Sequence, residues 1–109
     1  MRIYVAGPYS KGDQIINTRN AILAGEEIIR KGHIPYVPHL SQLWHTVSPH
    51  EPKFWYDLDI EWLRLCHAVL RLPGDSVGAD AEVAEAKRLG LPVYLAIEDI
   101  PSIDSSGVV

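Results

Sequence analysis

Asp59 and Glu82 are the two carboxylates on which this sequence could build a reaction. Glu82 ends the stretch Pro73-Gly74-Asp75-Ser76-Val77-Gly78-Ala79-Asp80-Ala81-Glu82, which reads as the passage from a strand end into the first turns of a helix. Ser76 can cap that helix or hold an anionic group at its N-terminus. The dipole of the helix favours the ionised form of Glu82, and an ionised carboxylate at the mouth of an α/β sheet can serve as a nucleophile. Asp59, with Asp57 and Glu61 beside it, sits on a helical segment that precedes the next strand and would pack beside the same cleft. Two carboxyls about 5 Å apart form the retaining-glycosidase arrangement, in which one attacks the anomeric carbon and the other handles protons. A blander use fits the same residues: Asp80 and Glu82 as decoration of a first helical turn, and Asp59 as a solvated residue of an amphipathic helix. Spacing alone leaves both open.

A second stretch, Gly7-Pro8-Tyr9-Ser10-Lys11-Gly12, follows an apolar run and leads into a helix. Its backbone N–H groups and the positive helix end suit an anion, although ordinary turn chemistry also explains it. It matches neither a Walker A loop nor a GxGxxG fingerprint. His33, His39, His45 and His50 are spaced by six, six and five residues. That spacing places no pair on one helical face, and no zinc site is expected. His39, just past a strand, either touches a bound ligand or is a loop histidine. Trp44 and Trp55 can stack on a ligand ring, cover the core or form an oligomer contact, and Trp62 is expected in the core. The lone cysteine, Cys66, excludes a disulfide framework and a thiolate zinc site, and reads as a small buried hydrophobe.

These residues need a scaffold, and the periodicity supplies one. Arg2–Ala6 is an apolar, β-branched run closed by Gly7-Pro8. Residues 13–31 are helical in pattern, with Ile15, Ile22 and Ile29 repeating and Ile16 and Leu23 beside them, so that one stripe can face a core. Residues 34–37 form a second strand, placed at an edge by Pro35. Residues 38–56, broken by Pro38, Pro49 and Pro52, read as a long loop. Residues 56–65 form a helix with Leu58, Trp62 and Leu65 on one face. Residues 67–72 form a third strand, 78–89 a helix ended by Gly90, 92–97 a fourth strand, and 99–109 a polar tail. Helices alternating with short continuous apolar strands predict a three-layer α/β sandwich around a parallel sheet of four or five strands, Rossmann- or flavodoxin-like. Ligands in such sheets bind beyond the carboxyl ends of the strands.

Composition narrows the partners. The chain has 109 residues, enough for one domain, read here as a core over 2–97 and a tail over 98–109. A net charge of −4 with no basic cluster argues against a nucleic acid polymer. No apolar run approaches the ~18 residues of a membrane span, and no signal peptide is visible. A cytoplasmic domain acting on a small molecule is the expectation.

Three segments together resemble a family: Gly7-Pro8-Tyr9-Ser10 after the first strand, Asp59-Ile60-Glu61-Trp62-Leu63-Arg64-Leu65-Cys66 before the third, and Leu72-Pro73-Gly74-Asp75-Ser76-Val77-Gly78-Ala79-Asp80-Ala81-Glu82 after it. The chain is similar, over about residues 2–97, to the nucleoside 2-deoxyribosyltransferase-like superfamily, nearest its small members and then the 2′-deoxynucleoside 5′-phosphate N-hydrolases. The resemblance implies cleavage of an N-glycosidic bond in a nucleoside or nucleoside 5′-monophosphate, with no metal or organic cofactor. Glu82 would attack C1′ and form a glycosyl-enzyme intermediate, Asp59 would assist at the sugar or protonate the leaving base, and the Tyr4 hydroxyl would hold the nucleophile. Ser76 would contact the 5′-phosphate, and Gly7, Pro8, Tyr9, Ser10, His39 and Gly78 would line the nucleotide site. A homodimer or larger homo-oligomer is implied, with a polar residue of a neighbouring subunit completing the site, for which the tail offers Ser102, Ser105 and Ser106. His67 stands where family members usually carry Asp. Hydrolysis, base exchange and a non-catalytic nucleotide-binding role on the same fold remain as alternatives, and so does a purely structural oligomer-forming domain.

Overall fold

Side-chain alternation along the first strand, β1 (Arg2–Ala6), builds both sides of the sheet. Ile3 and Val5 join Ala21, Ile28, Ala68, Leu70 and Ile100 in one core cluster, while Tyr4 and Ala6 join Ile60, Leu63, Cys66, Val69, Ala79 and Ala86 in the other. All these side chains are at least nine-tenths buried, which is the main favourable term for a domain of this size. In the computed structural model, residues 1–103 are described, and the chain continues through α1 (Gln14–Arg30), β2 (Ile34–Tyr36), α2 (Ser41–Val47), α3 (Pro52–Arg64), β3 (Ala68–Arg71), α4 (Val77–Arg88) and β4 (Val93–Tyr94). Short 3-10 turns occupy Pro38–Leu40 and Ile97–Asp99.

The sheet is parallel, in the order β2-β1-β3-β4. Helix α1 covers one face and α3 and α4 cover the other, giving the three layers of a flavodoxin-like α/β fold. Pro35 lies on β2, an edge strand, where a missing N–H costs least. Asp13 caps α1 by accepting from the N–H groups of Ile15 and Ile16, and Ser76 caps α4 by accepting from that of Ala79. Among the described residues no helix is long and apolar enough to cross a membrane.

Four expectations change. Residues 38–56 are not a long loop: the 3-10 turn, α2 and the start of α3 occupy most of them, with Pro52 in the first turn of α3, where its missing N–H is tolerated. The stripe of Ile15, Ile22 and Ile29, with Ile16 and Leu23, faces solvent; Ala21, Gly25 and Ile28 face the sheet. Close approach explains the choice, because a Cβ on Gly25 would lie 3.2 Å from Cγ2 of Val37. On α3 the buried residues are Asp59, Ile60 and Leu63, while Trp62 and Leu65 are about half exposed. The fourth strand is only Val93–Tyr94, and the following segment instead turns back to bury Ile100. Ser105 and Ser106 lie outside the described residues.

Candidate active site

Tyr4 is the centre of the site. It occupies the middle of β1 and points toward α3 and α4, and its O–H donates to Oε2 of Glu82, which is buried on the second turn of α4. Directly across in the β1–β2 register stands Tyr36. The two rings meet edge to face at 5.5 Å, and Trp62 meets Tyr36 in the same manner at 5.6 Å. The Tyr36 O–H donates to Oδ1 of Asp59 at 3.2 Å. Asp59 and Glu82, from two different helices, are thus joined through a pair of edge-to-face tyrosines into one polar cluster against the sheet.

Burial decides the electrostatics. It pushes the Glu82 carboxyl up to about 7; the Tyr4 hydrogen bond and the Arg71 charge pull it down, and the Asp59 charge pushes it up. Asp59 is likewise pushed up to about 6 by burial, against the pull of the Tyr36 hydrogen bond. The helix dipole does not keep Glu82 readily ionised, because desolvation of the carboxylate is the larger effect. Burial first, then the charges of Glu82 and Asp59, raise Tyr4 so far that it remains a hydrogen-bond donor. Near neutral pH the two carboxyls share roughly one proton, which gives one acid and one ionised carboxylate.

Access differs between the two. Asp59 and Tyr36 line an open groove of about 670 Å³ with Leu58, Trp62, Trp44 and Pro38, whereas Tyr4 and Glu82 lie outside its wall. No protein group donates to Oε1 of Glu82 among the described residues, and that atom is not sealed from solvent.

The loops beyond the strand ends are tied to each other. Leu72 N–H donates to Ala6 O at 2.8 Å, and a Cβ on Gly7 would touch Leu72 at 3.0 Å. Gly74, at φ +111°, packs so close to Pro8 that an added Cβ would lie 2.9 Å from Cγ, so both its conformation and its space demand glycine. Asn17 Nδ2 holds the carbonyls of Tyr9 and Lys11. His39 is buried, with Nε2 2.9 Å from the carbonyl of Pro8. A carbonyl only accepts, so Nε2 carries the proton and Nδ1 is a buried acceptor without a partner among the described residues. Burial favours this neutral form over the pull of the Pro8 and Gly7 carbonyls.

Of the other expected residues, Ser76 is committed to its cap but keeps its own hydroxyl proton, Gly78 borders open space, and Ser10 is exposed. Two residues were missed. Tyr36 could have been found from its register with Tyr4, once β2 was placed beside β1. Arg71, a charge ending an apolar strand, was the other signal. Its guanidinium holds the carbonyls of Leu72 and Gly74 and the Asp80 carboxylate at 3.0 Å, and its charge acts on Glu82. His67 accepts the Arg2 backbone N–H on Nδ1 at 2.9 Å, so it supplies the acceptor that a carboxylate would supply there. The remaining histidines are separate: His33 contacts the Pro101 carbonyl, His45 accepts from Trp55, and His50 stacks on Phe54.

Tyr36→Phe removes a hydrogen bond to the ionised form of Asp59, so Asp59 should become harder to ionise. The titration of Asp59 is expected to move up by about one pH unit, the equivalent of a charged hydrogen bond of about 1.5 kcal/mol. Carboxyl-carbon NMR of labelled aspartate measures it, and an unmoved titration would mean that the bond carries no weight in solution.

A family model described as a domain of unknown function (DUF7768) matches residues 1–96. No curated protein matches the chain. Among solved structures, a 2-deoxyribosyltransferase from the psychrotolerant bacterium Bacillus psychrosaccharolyticus superposes with a TM-score of 0.64 at 21% identity, over 85% of this chain and 69% of that one. At that identity the likeness is one of fold.

Proposed function

We propose that this chain, which belongs to the family described as a domain of unknown function (DUF7768), cleaves the N-glycosidic bond of a nucleoside or nucleoside 5′-monophosphate as a single nucleoside 2-deoxyribosyltransferase-like domain. The observation that carries this reading is the buried pair of Asp59 and Glu82, with raised pKa values and a tyrosine donor for each. Burial leaves the shared proton more often on Glu82 than on Asp59, and the reactive form is the smaller share with the proton on Asp59: there Oε1 of Glu82 attacks C1′ as the bond from C1′ to the base nitrogen breaks, and Asp59 gives its proton to the departing base. Positive charge that builds on the sugar is met by the carboxylate. Asp59, now ionised, takes a proton from water, whose oxygen displaces Glu82 from C1′ and releases the free sugar. Base exchange differs only in the acceptor; hydrolysis is the reaction we favour.

Tyr4 positions Glu82 and stays protonated throughout. Pro8, Tyr9 and Ser10, beside Gly7, form the loop that lines the nucleotide, held from behind by His39. The Ser76 hydroxyl and the N-terminus of α4, with Gly78 leaving space beside them, take the 5′-phosphate. A second subunit completes the site, for which the groove walled by Trp44, Trp62 and Leu40 offers an apolar seat beside Asp59.

Incubation with ribo- and deoxyribonucleosides and their 5′-monophosphates, followed by chromatography for free base, tests the reading. Ser76→Ala is expected to raise KM for the monophosphate about tenfold, the loss of one charge-assisted hydrogen bond, and to leave the free nucleoside unchanged. Equal effects on both would remove the phosphate site. One observation favours a non-catalytic binding module instead: burial keeps a share of Glu82 protonated, and so unreactive, at neutral pH. Nucleotide recovered intact after long incubation, with a clear thermal shift on binding, would select that reading.

A further inference from the structure

Helix α1 has two apolar sides. Toward the sheet lie Ala21, Gly25 and Ile28. Away from it lie Ile15, Ile16, Ile22, Leu23 and Ile29, between 42% and 74% exposed. Seven residues are nearly two helical turns, so the isoleucines at 15, 22 and 29 stay in line along the outer surface. A helix that covers one face of a sheet ordinarily carries polar residues there, and among the described residues neither core cluster includes this stripe.

Two charged residues interrupt it, Arg19 and Glu26, of opposite sign, and neither makes an ion pair among the described residues. They are equidistant from the point between Ile22 and Leu23. A two-fold axis through that point turns the stripe onto itself: on the centre line Arg19 meets Glu26 of the partner subunit, and on its flanks Ile15 meets Ile29 of the partner subunit, while Ile22 and Leu23 each meet their own copies at the axis. Arg19 and Glu26 each find the opposite charge across the axis and four of the five aliphatics find an aliphatic, which is what an isologous contact requires; Ile16 alone faces a charge, Arg30 of the partner subunit, a residue already paired with Glu27 on its own helix. We infer that α1 is the self-complementary contact of a symmetric pair, with a second copy of this chain packed antiparallel along the outer stripe. The surface lies on the opposite side of the sheet from Asp59 and Glu82, so this contact is separate from the second-subunit seat beside Asp59, and Ile22→Asp should leave base release unchanged whichever way the association goes.

Sedimentation velocity of the full chain tests it. Ile22→Asp is expected to halve the sedimenting mass, since it buries two carboxylates at the dyad. Arg19→Glu and Glu26→Arg are each expected to weaken association about tenfold or more by bringing like charges together twice, and the double reversal to restore it. Both charged residues are exposed, so these variants answer even if Ile22→Asp does not fold. A wild-type monomer overturns the inference and leaves the stripe to a different partner. A mass unchanged by Ile22→Asp overturns it as well, and a double reversal that stays dissociated overturns the antiparallel register.

Discussion

Glu82→Ala protein is expected to release no detectable base from any nucleoside or monophosphate that the wild type cleaves, a loss of ~10⁴-fold or more for removal of the proposed covalent nucleophile. Glu82→Gln is expected to be equally inactive and, at pH 8, more stable than the wild type. Both follow from the same burial. The folded state holds the Glu82 proton up to about pH 7, whereas an unfolded chain releases it near the ordinary glutamate value of 4.5. Between those values the folded protein binds more protons than the unfolded one, so stability falls as pH rises. At pH 8 the wild type carries the full cost of a desolvated carboxylate; at pH 4 it carries none. Glutamine keeps an oxygen for the Tyr4 hydroxyl and never ionises. The gain should be on the order of 2 kcal/mol at pH 8, or roughly 10 °C in Tm for a domain of this size, and should vanish at pH 4. Thermal melts of both proteins at the two pH values measure it. A Glu82→Gln protein that is inactive but no more stable at pH 8 would mean that Glu82 is ionised without cost in the fold. Retained base release would remove Glu82 from the nucleophile's role.

The elements were legible where pattern and punctuation agree. β1 is an apolar run stopped by Gly7-Pro8, α4 begins at a serine cap, and Gly32 and Gly90 follow the last turns of α1 and α4. Orientation was harder to read than existence. The isoleucines of α1 repeat as a core stripe would, but hydrophobic period says only that a side is apolar, not which way it faces. The side that packs is the one with Ala21 and Gly25, small enough for the sheet to come close, and small residues leave almost no trace in hydrophobic patterning. The proline-rich stretch 38–56 was misread for a related reason: Pro38 and Pro52 stand in first turns, where proline starts a helix as readily as it breaks one inside. At the site, Tyr4, Asp59 and Glu82 are drawn together from three elements. Tyr36 escaped because its importance depends on the register of two strands more than 30 residues apart in sequence, which no local window contains.

Asp59→Asn tests the other half of the pair, and its effect should depend on the leaving group. A purine or pyrimidine departs poorly as an anion, so loss of the proton donor is expected to slow base release by ~10²–10⁴-fold, the usual range for a general acid. A 2-deoxyribosyl nitrophenolate needs no proton to depart, and with it the same variant is expected to form the glycosyl-enzyme at close to the wild-type rate. Turnover should then stall, because in the proposed reaction Asp59 is also the base that activates water, and a burst of nitrophenolate followed by a slow steady state would record the stall. The pH profile carries the same signature. With Asp59 near 6 and Glu82 near 7, the productive form holds one proton on the pair, so the wild-type rate should peak between those values and fall on both sides. In Asp59→Asn protein acting on the nitrophenolate, the alkaline fall should disappear and the acid fall remain, since only ionisation of Glu82 is still required. Equal slowing for both leaving groups would mean that Asp59 holds the sugar and donates no proton.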